Sequence, residues 1–258
     1  SNKDAIAAGL QALMVWGMRV GVEFAELFED RQLSNDCKAA EKKLVKAASK
    51  VYKKFLASCP APDAPGSKQV AALMTITGLI DAPKADKEFL SINGAQGFSP
   101  FYGYYMLEAM ATAGNYQGAL DVIREYWGAM IDLGATSFWE DFDINWIPNA
   151  VPIDELVPEG KKDIHGDYGD YCYKGFRHSL CHGWASGPTS WLSRHILGVE
   201  VIEPGCRQVR ITPHLGDLKW VKGTFPTPYG EIQIYHEKQA NGNVISEVKA
   251  PKGVSVIK

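Results

Sequence analysis

Two short runs in the 258-residue sequence combine side chains suited to a polyhydroxylated ligand. Gly134-Ala135-Thr136-Ser137-Phe138-Trp139-Glu140 ends on a carboxylate beside an indole. Ser179-Leu180-Cys181-His182-Gly183-Trp184 brings an imidazole close to a second indole. A sugar ring has apolar C–H faces and a rim of hydroxyls, so its site needs flat aromatic walls with hydrogen-bonding groups at the edge. Trp139 and Trp184 are the candidate walls, His182 is the candidate hydroxyl ligand, and His178 and Tyr105 are weaker candidates. Each has a plainer alternative. A Trp beside an acid often packs its ring while the carboxylate faces water, and His182 can equally brace a helix starting near Gly187.

Cleaving a glycosidic bond takes two carboxyl groups, one to protonate the leaving oxygen and one to activate water or attack. Glu140 is the candidate for one of them. Asp141 and Asp143 are nearest in sequence, but an inverting pair stands roughly 6.5–9.5 Å apart with the sugar between. Neighbours on one short segment do not easily span a ring. Asp154, Glu155, Asp163, Asp167 and Asp170 are freer, although acidic loop residues are commonly just solvated.

Other chemistries find little support. The five cysteines are an odd number without a C-x-x-C pair, which argues against a zinc site and a complete disulfide framework. Cys181 adjoins His182, but adjacent side chains usually diverge, so a Cys/His nucleophile is disfavoured. His178 and His182 are four apart without an intervening helix-borne acid or a third ligand, and no metal or cofactor is expected. A net charge of −3 and a lysine run at helical spacing between Lys42 and Lys54 give no basic patch for nucleic acid. No run approaches the roughly 18 uninterrupted apolar residues of a membrane span, so no membrane partner is expected. Ser1-Asn2 looks like a tag remnant, and the compartment is left open between periplasmic or secreted and cytoplasmic.

The elements that must carry these residues divide into two kinds. Apolar residues from Ala5 to Phe28 cover two faces of a helix, whereas the helix over residues 39–56 shows one stripe opposite its lysines. Two-faced inner and one-faced outer helices are what a double ring requires. Further helices are expected over 69–80, 100–113, 116–133 and 187–197, with Pro100 in a first turn and Gly114 and Gly134 as stops. The segment 141–176 reads as a long loop. After Gly198 short β runs follow at 199–202, 208–212, 218–223, 231–236, 244–249 and 254–257, with a hairpin turn at Gln239-Ala240-Asn241-Gly242-Asn243.

Beyond these two runs, Ser67-Lys68-Gln69-Val70-Ala71-Ala72-Leu73, Phe98-Ser99-Pro100-Phe101-Tyr102, the stretch Ser179 to Leu192, Ile211 to Trp220 and Gly223 to Gly230 occur in the same order as in a known family. The chain thereby resembles the C-terminal half of the bacterial α-L-rhamnosidases of glycoside hydrolase family 78, with little of the likeness in the first sixty residues. The resemblance implies an α+β multidomain chain: a partial α/α toroid over residues 1–198, then a small antiparallel β-sandwich over 199–258. It implies an inverting hydrolase of terminal α-L-rhamnose with Glu140 as general base, and it gives His182 a sugar contact. The family's general acid belongs to an acid-rich motif with no counterpart here, so a fragment inactive alone is expected, with self-association through the uncovered ring edge. Another toroid glycosidase, or a non-catalytic carbohydrate-binding or helical scaffold module, is the alternative.

Overall fold

The computed structural model describes residues 2–58, 64, 66–159 and 179–257. Among the described residues, helices dominate up to Ile196 and six short strands follow. Helix α1, Lys3–Leu27, is capped by the Asn2 side chain, which accepts from the amides of Asp4 and Ala5. Helix α2, Arg31–Ser58, runs back beside it, and Gln11 (2.6 Å to the Leu44 carbonyl) and Arg19 (2.7 Å to Glu41) tie the pair. It starts eight residues before the expected 39 because the Asp30 carboxylate caps it at the Leu33 amide, 2.9 Å away, and because Ser34 and Cys37 pack inward. The polar surroundings of those two residues hid the stripe.

The next elements are α3, Ser67–Ile76; α4, Ala82–Ala85, which runs on as a π-turn through Asp86–Leu90; α5, Pro100–Thr112; and α6, Tyr116–Asp132. Residues 82–90 are absent from the sequence expectation. Asp81 caps them, accepting from the Lys84 amide at 2.9 Å, and they bury Ala85, Phe89 and Leu90. Pro100 opens α5 as expected, and Asn115 caps α6 at the Gly118 amide. The two glycines expected to stop helices have φ of +80° (Gly114) and +86° (Gly134), a region that L side chains rarely adopt.

Helices α3, α5 and α6 hold the main core, in which Met74, Leu90, Met106, Leu107, Met110, Tyr126 and Trp191 are fully buried. Within the segment expected to be loop, Ile144–Asn149 forms a 3-10 turn capped by Asp143. Helix α7, Gly187–Trp191, is extended by a π-turn to Ile196.

The strands are β1, Val199–Val201; β2, Gln208–Ile211; β3, Trp220–Thr227; β4, Gly230–Lys238; β5, Val244–Lys249; and β6, Ser255–Ile257. They form two three-stranded sheets, β1-β2-β6 and β3-β4-β5. β2 pairs parallel with β6, and the other pairings are antiparallel. Alternation works as the sequence implies: Val209 and Ile211 from one sheet and Ile232 and Ile234 from the other share one apolar cluster. His236 is fully buried there between the Ser246 hydroxyl (2.7 Å) and the Leu197 carbonyl (3.1 Å), and burial lowers its pKa.

One face of α1 stays open. Ile6, Leu10, Met14 and Phe24 are each at least half exposed, although α2 and α3 cover the opposite side. An 18-residue window of α1 has a mean hydropathy of 1.4 and is 22% buried, enough by length and composition alone to cross a bilayer, a test that core helices and N-terminal signal sequences also pass. Here Arg19 binds Glu41 and the Thr77 carbonyl, an arrangement suited to packing among helices.

The junction between helices and sheets turns at Gly198, whose φ is +74°. A Cβ there would lie 2.4 Å from the Thr212 carbonyl carbon and 2.5 Å from Pro213 N, backbone that cannot swing aside. Gly198→Ala is expected to destabilise the chain by roughly 2 kcal/mol or more, read as a lower urea midpoint.

Candidate active site

The two runs singled out in the sequence meet in space through their backbones. A Schellman turn ends α6: Gly134 donates to the Ile131 carbonyl and Ala135 to that of Met130, each at 2.9 Å. This redirects the chain into a stretch in which the Glu140 amide donates to the Ser179 carbonyl at 2.8 Å and the His182 amide to that of Phe138 at 2.7 Å. The Ser137 hydroxyl adds a bond to the Leu180 carbonyl. Residues 138–140 and 179–182 are thus clasped side by side.

The clasp fixes the Glu140 carboxylate. Its Oε2 accepts from the Ser179 amide at 3.0 Å and lies 3.9 Å from His182 Nδ1. The side chain is 13% exposed against 34% for His182, so the pair sits at the margin between core and solvent. Trp184 crosses over it: the indole N–H donates to the Glu140 carbonyl at 2.8 Å, and the ring centroid is 4.4 Å from that of His182. The indole is 46% exposed, so it offers a free apolar face beside the carboxylate.

An aromatic row continues from Trp184 across α5. Phe101 lies 5.6 Å from Trp184 and 5.6 Å from Tyr105, which meets Trp16 of α1 edge-on at 6.0 Å. Phe101 is 40% exposed and stands between Trp184 and Tyr105, a place that the sequence pattern assigned to no residue. The signal was present: Phe101 and Tyr105 are four apart on one helix face. Ser179, whose amide holds the carboxylate, carries no such signal, because only the fold brings it there.

Trp139 corrects an expectation. Its ring is fully buried in the main core, edge-on to Phe142 at 5.9 Å, and in this position it presents no open face to a ligand. Tyr105 is half-buried, one ring removed from Trp184. His178, Asp163, Asp167 and Asp170 lie outside the described residues, as do Cys59 and Cys172; Asp154 and Glu155 are exposed. Among the described residues, no group of three metal-binding side chains comes together.

Asp141 behaves unlike its neighbour. Burial pushes its pKa up to about 6; the Phe142 amide, 2.9 Å away, opposes the rise, while the charges of Asp143 and Glu140 add to it.

The fold is shared with solved glycosidases. A family 78 rhamnosidase of Bacillus sp. GL1 superposes with a TM-score of 0.71 at 24% identity, over 94% of this chain and 25% of that one. The α-L-rhamnosidase of Aspergillus terreus gives 0.69 at 17% identity, over 95% and 27%. That of Streptomyces avermitilis, solved with L-rhamnose, gives 0.66 at 17%, over 95% and 22%. Residues 198–257 match the family model described as the bacterial alpha-L-rhamnosidase C-terminal domain. These findings bear out the resemblance to α-L-rhamnosidases read from the sequence, and the chain spans about a quarter of the length of the enzymes it matches. No curated protein matches it in sequence.

The shifted Asp141 gives a prediction whose sign follows from linkage. Its folded pKa lies above the ordinary 3.8, so its contribution to stability is complete below about pH 4 and is lost as pH rises through about 6. Asp141→Asn, which cannot ionise, should be more stable than the parent at pH 7 by on the order of 1–2 kcal/mol, after allowing for solvent screening. Urea midpoints between pH 4 and pH 7.5 should show the gap closing towards acid. A pH-independent gap would contradict the assignment.

Proposed function

We propose that this chain carries the general-base part of an inverting glycoside hydrolase that releases terminal α-L-rhamnose. The helices supply part of an α/α toroid over residues 1–198, and residues 199–258 form a small β-sandwich domain. The observation that carries the reading is the clasp, which puts a carboxylate, an imidazole and an open indole face within one sugar-sized patch. The C-terminal match to the rhamnosidase family model supports L-rhamnose as the sugar for that patch.

In this reading Glu140 deprotonates the attacking water. One of its oxygens is held by the Ser179 amide, which orients it for proton transfer. His182 hydrogen-bonds a ring hydroxyl, and Trp184, with Phe101 and Tyr105 behind it, covers an apolar sugar face. The acid that protonates the leaving oxygen is supplied by another segment of the parent enzyme. Asp141, although raised, adjoins the base and is poorly placed to stand across a ring from it.

The experiment separates the base from the acid. A 2,4-dinitrophenolate leaving group departs without protonation, so 2,4-dinitrophenyl α-L-rhamnoside needs only the base. For want of the acid the chain is expected to be inactive on the p-nitrophenyl glycoside, and with the activated 2,4-dinitrophenolate leaving group it should still show cleavage with inversion, followed by NMR of the released sugar. Glu140→Gln should reduce the rate of that cleavage by about 10²–10⁴-fold. Equal rates for variant and parent would remove Glu140 from the chemistry.

The open face of α1 suits self-association, since exposed apolar surface of this extent favours burial against a partner. Light scattering should then show mass rising with concentration, and Leu10→Glu combined with Met14→Lys should restore the monomer. A monomer at all concentrations would count against it.

A further inference from the structure

The second feature that asks for a ligand lies on the β3-β4-β5 sheet. Its inner face is spent on the apolar cluster through Ile232, Ile234 and the buried His236. The strand register sets the composition of the outer face. Trp220 stands opposite Glu237 and next to Ile245; Lys222, Tyr235 and Glu247 form a second row; Thr224, Gln233 and Lys249 form a third. All three rows point outward because side chains two apart share a face.

This face is unusual for a solvated sheet. Trp220 is 60% exposed, and its ring stacks on that of Tyr235 with centroids 6.5 Å apart and planes at 30°. The Tyr235 hydroxyl lies 3.2 Å from Glu237 Oε2, which holds the phenol ring in place. Beside the rings lies an open hollow of about 480 Å³ lined by Lys222, Thr224, Gln233, Tyr235, Glu247 and Lys249. That volume falls within the range of small-molecule sites.

Charge decides the ligand class. Two lysines and two glutamates cancel on this face, which disfavours both an anionic strand such as nucleic acid and a cationic peptide. Among the described residues, none of Lys222, Lys249 and Glu247 enters an ion pair within 4.0 Å, so both signs keep unused hydrogen-bonding capacity. Paired donors and acceptors around flat rings are matched by a neutral molecule with apolar faces and many hydroxyls.

We propose that the outer face of the β3-β4-β5 sheet is a second carbohydrate surface. It takes a neutral oligosaccharide strand on Trp220 and Tyr235, with Lys222, Gln233, Glu247 and Lys249 bonding the hydroxyls. The surface rests on none of the residues invoked for hydrolysis. Its role is to hold a glycan by a segment other than the one presented to Glu140.

Affinity electrophoresis of the whole chain in native gels cast with xyloglucan, galactomannan or polygalacturonate tests this. Retardation is expected in at least one of the two neutral polysaccharides. Trp220→Ala and Tyr235→Ala should each raise the apparent Kd by about tenfold, and Glu140→Gln should leave it unchanged. Trp220 is the safer substitution, because so exposed a ring adds little to folding. The proposal is overturned by no retardation in either neutral gel, by retardation in polygalacturonate alone, or by retardation that Trp220→Ala leaves intact. Loss on Glu140→Gln would also overturn it, since binding would then belong to the first site.

Discussion

The backbone clasp between residues 138–140 and 179–182 is the constraint on which the candidate site depends. Two amide-to-carbonyl bonds, Glu140 to Ser179 and His182 to Phe138, bring together residues about forty positions apart. Without them the carboxylate and the imidazole would sit on unrelated stretches. Backbone pairing is also hard to perturb by side-chain change, so it provides a rigid base for side chains that must keep hydrogen-bonding capacity for a ligand. The clasp is in turn held from both ends. The Schellman turn at Gly134 sets the entry of one strand, and the Trp127 indole, bonded to the Ala185 carbonyl at 3.1 Å, anchors the exit of the other.

Much of this architecture was legible from residue patterns, and the reasons differ by element. Helices α5 and α6 carry their own punctuation in Pro100, Gly114, Asn115 and Gly134, so their expected limits fall within a residue of those found. The strands announced themselves through period-two alternation around Val209–Ile211 and Ile232–Ile234, where one face is buried and the other wet. Where tertiary packing outweighs local pattern, the sequence said less. The start of α2 and the turn at residues 82–90 are held by carboxylate caps and by a few inward side chains among polar neighbours. Such short amphipathic signals fall below what periodicity can resolve.

The site was legible in residue type and only partly in role. Glu140, His182 and Trp184 converge because each is tied to the clasp by its own or an adjacent backbone group. Trp139 and Trp184 looked equivalent in sequence, each next to or near a polar group. The fold separates them by direction. Trp139 turns into the core, whereas Glu140, at which the chain bends, turns towards Ser179 and His182. Trp184 lies at the end of the other stretch, where its indole N–H reaches over the Glu140 carbonyl and its ring remains half open.

That difference in direction lets a large apolar residue support a neighbouring carboxylate. A buried indole is immobile, and its backbone is immobilised with it. A carboxylate one residue away therefore loses little further freedom when it binds the Ser179 amide, and the entropic cost of presenting it in one orientation has been met by core packing. Asp141, the next residue, meets different surroundings. Desolvation raises its pKa while its neighbour stays tied to an amide donor at the margin of solvent. Three consecutive residues thus differ in surroundings: a buried ring, a carboxylate held by an amide and a carboxyl whose pKa burial raises.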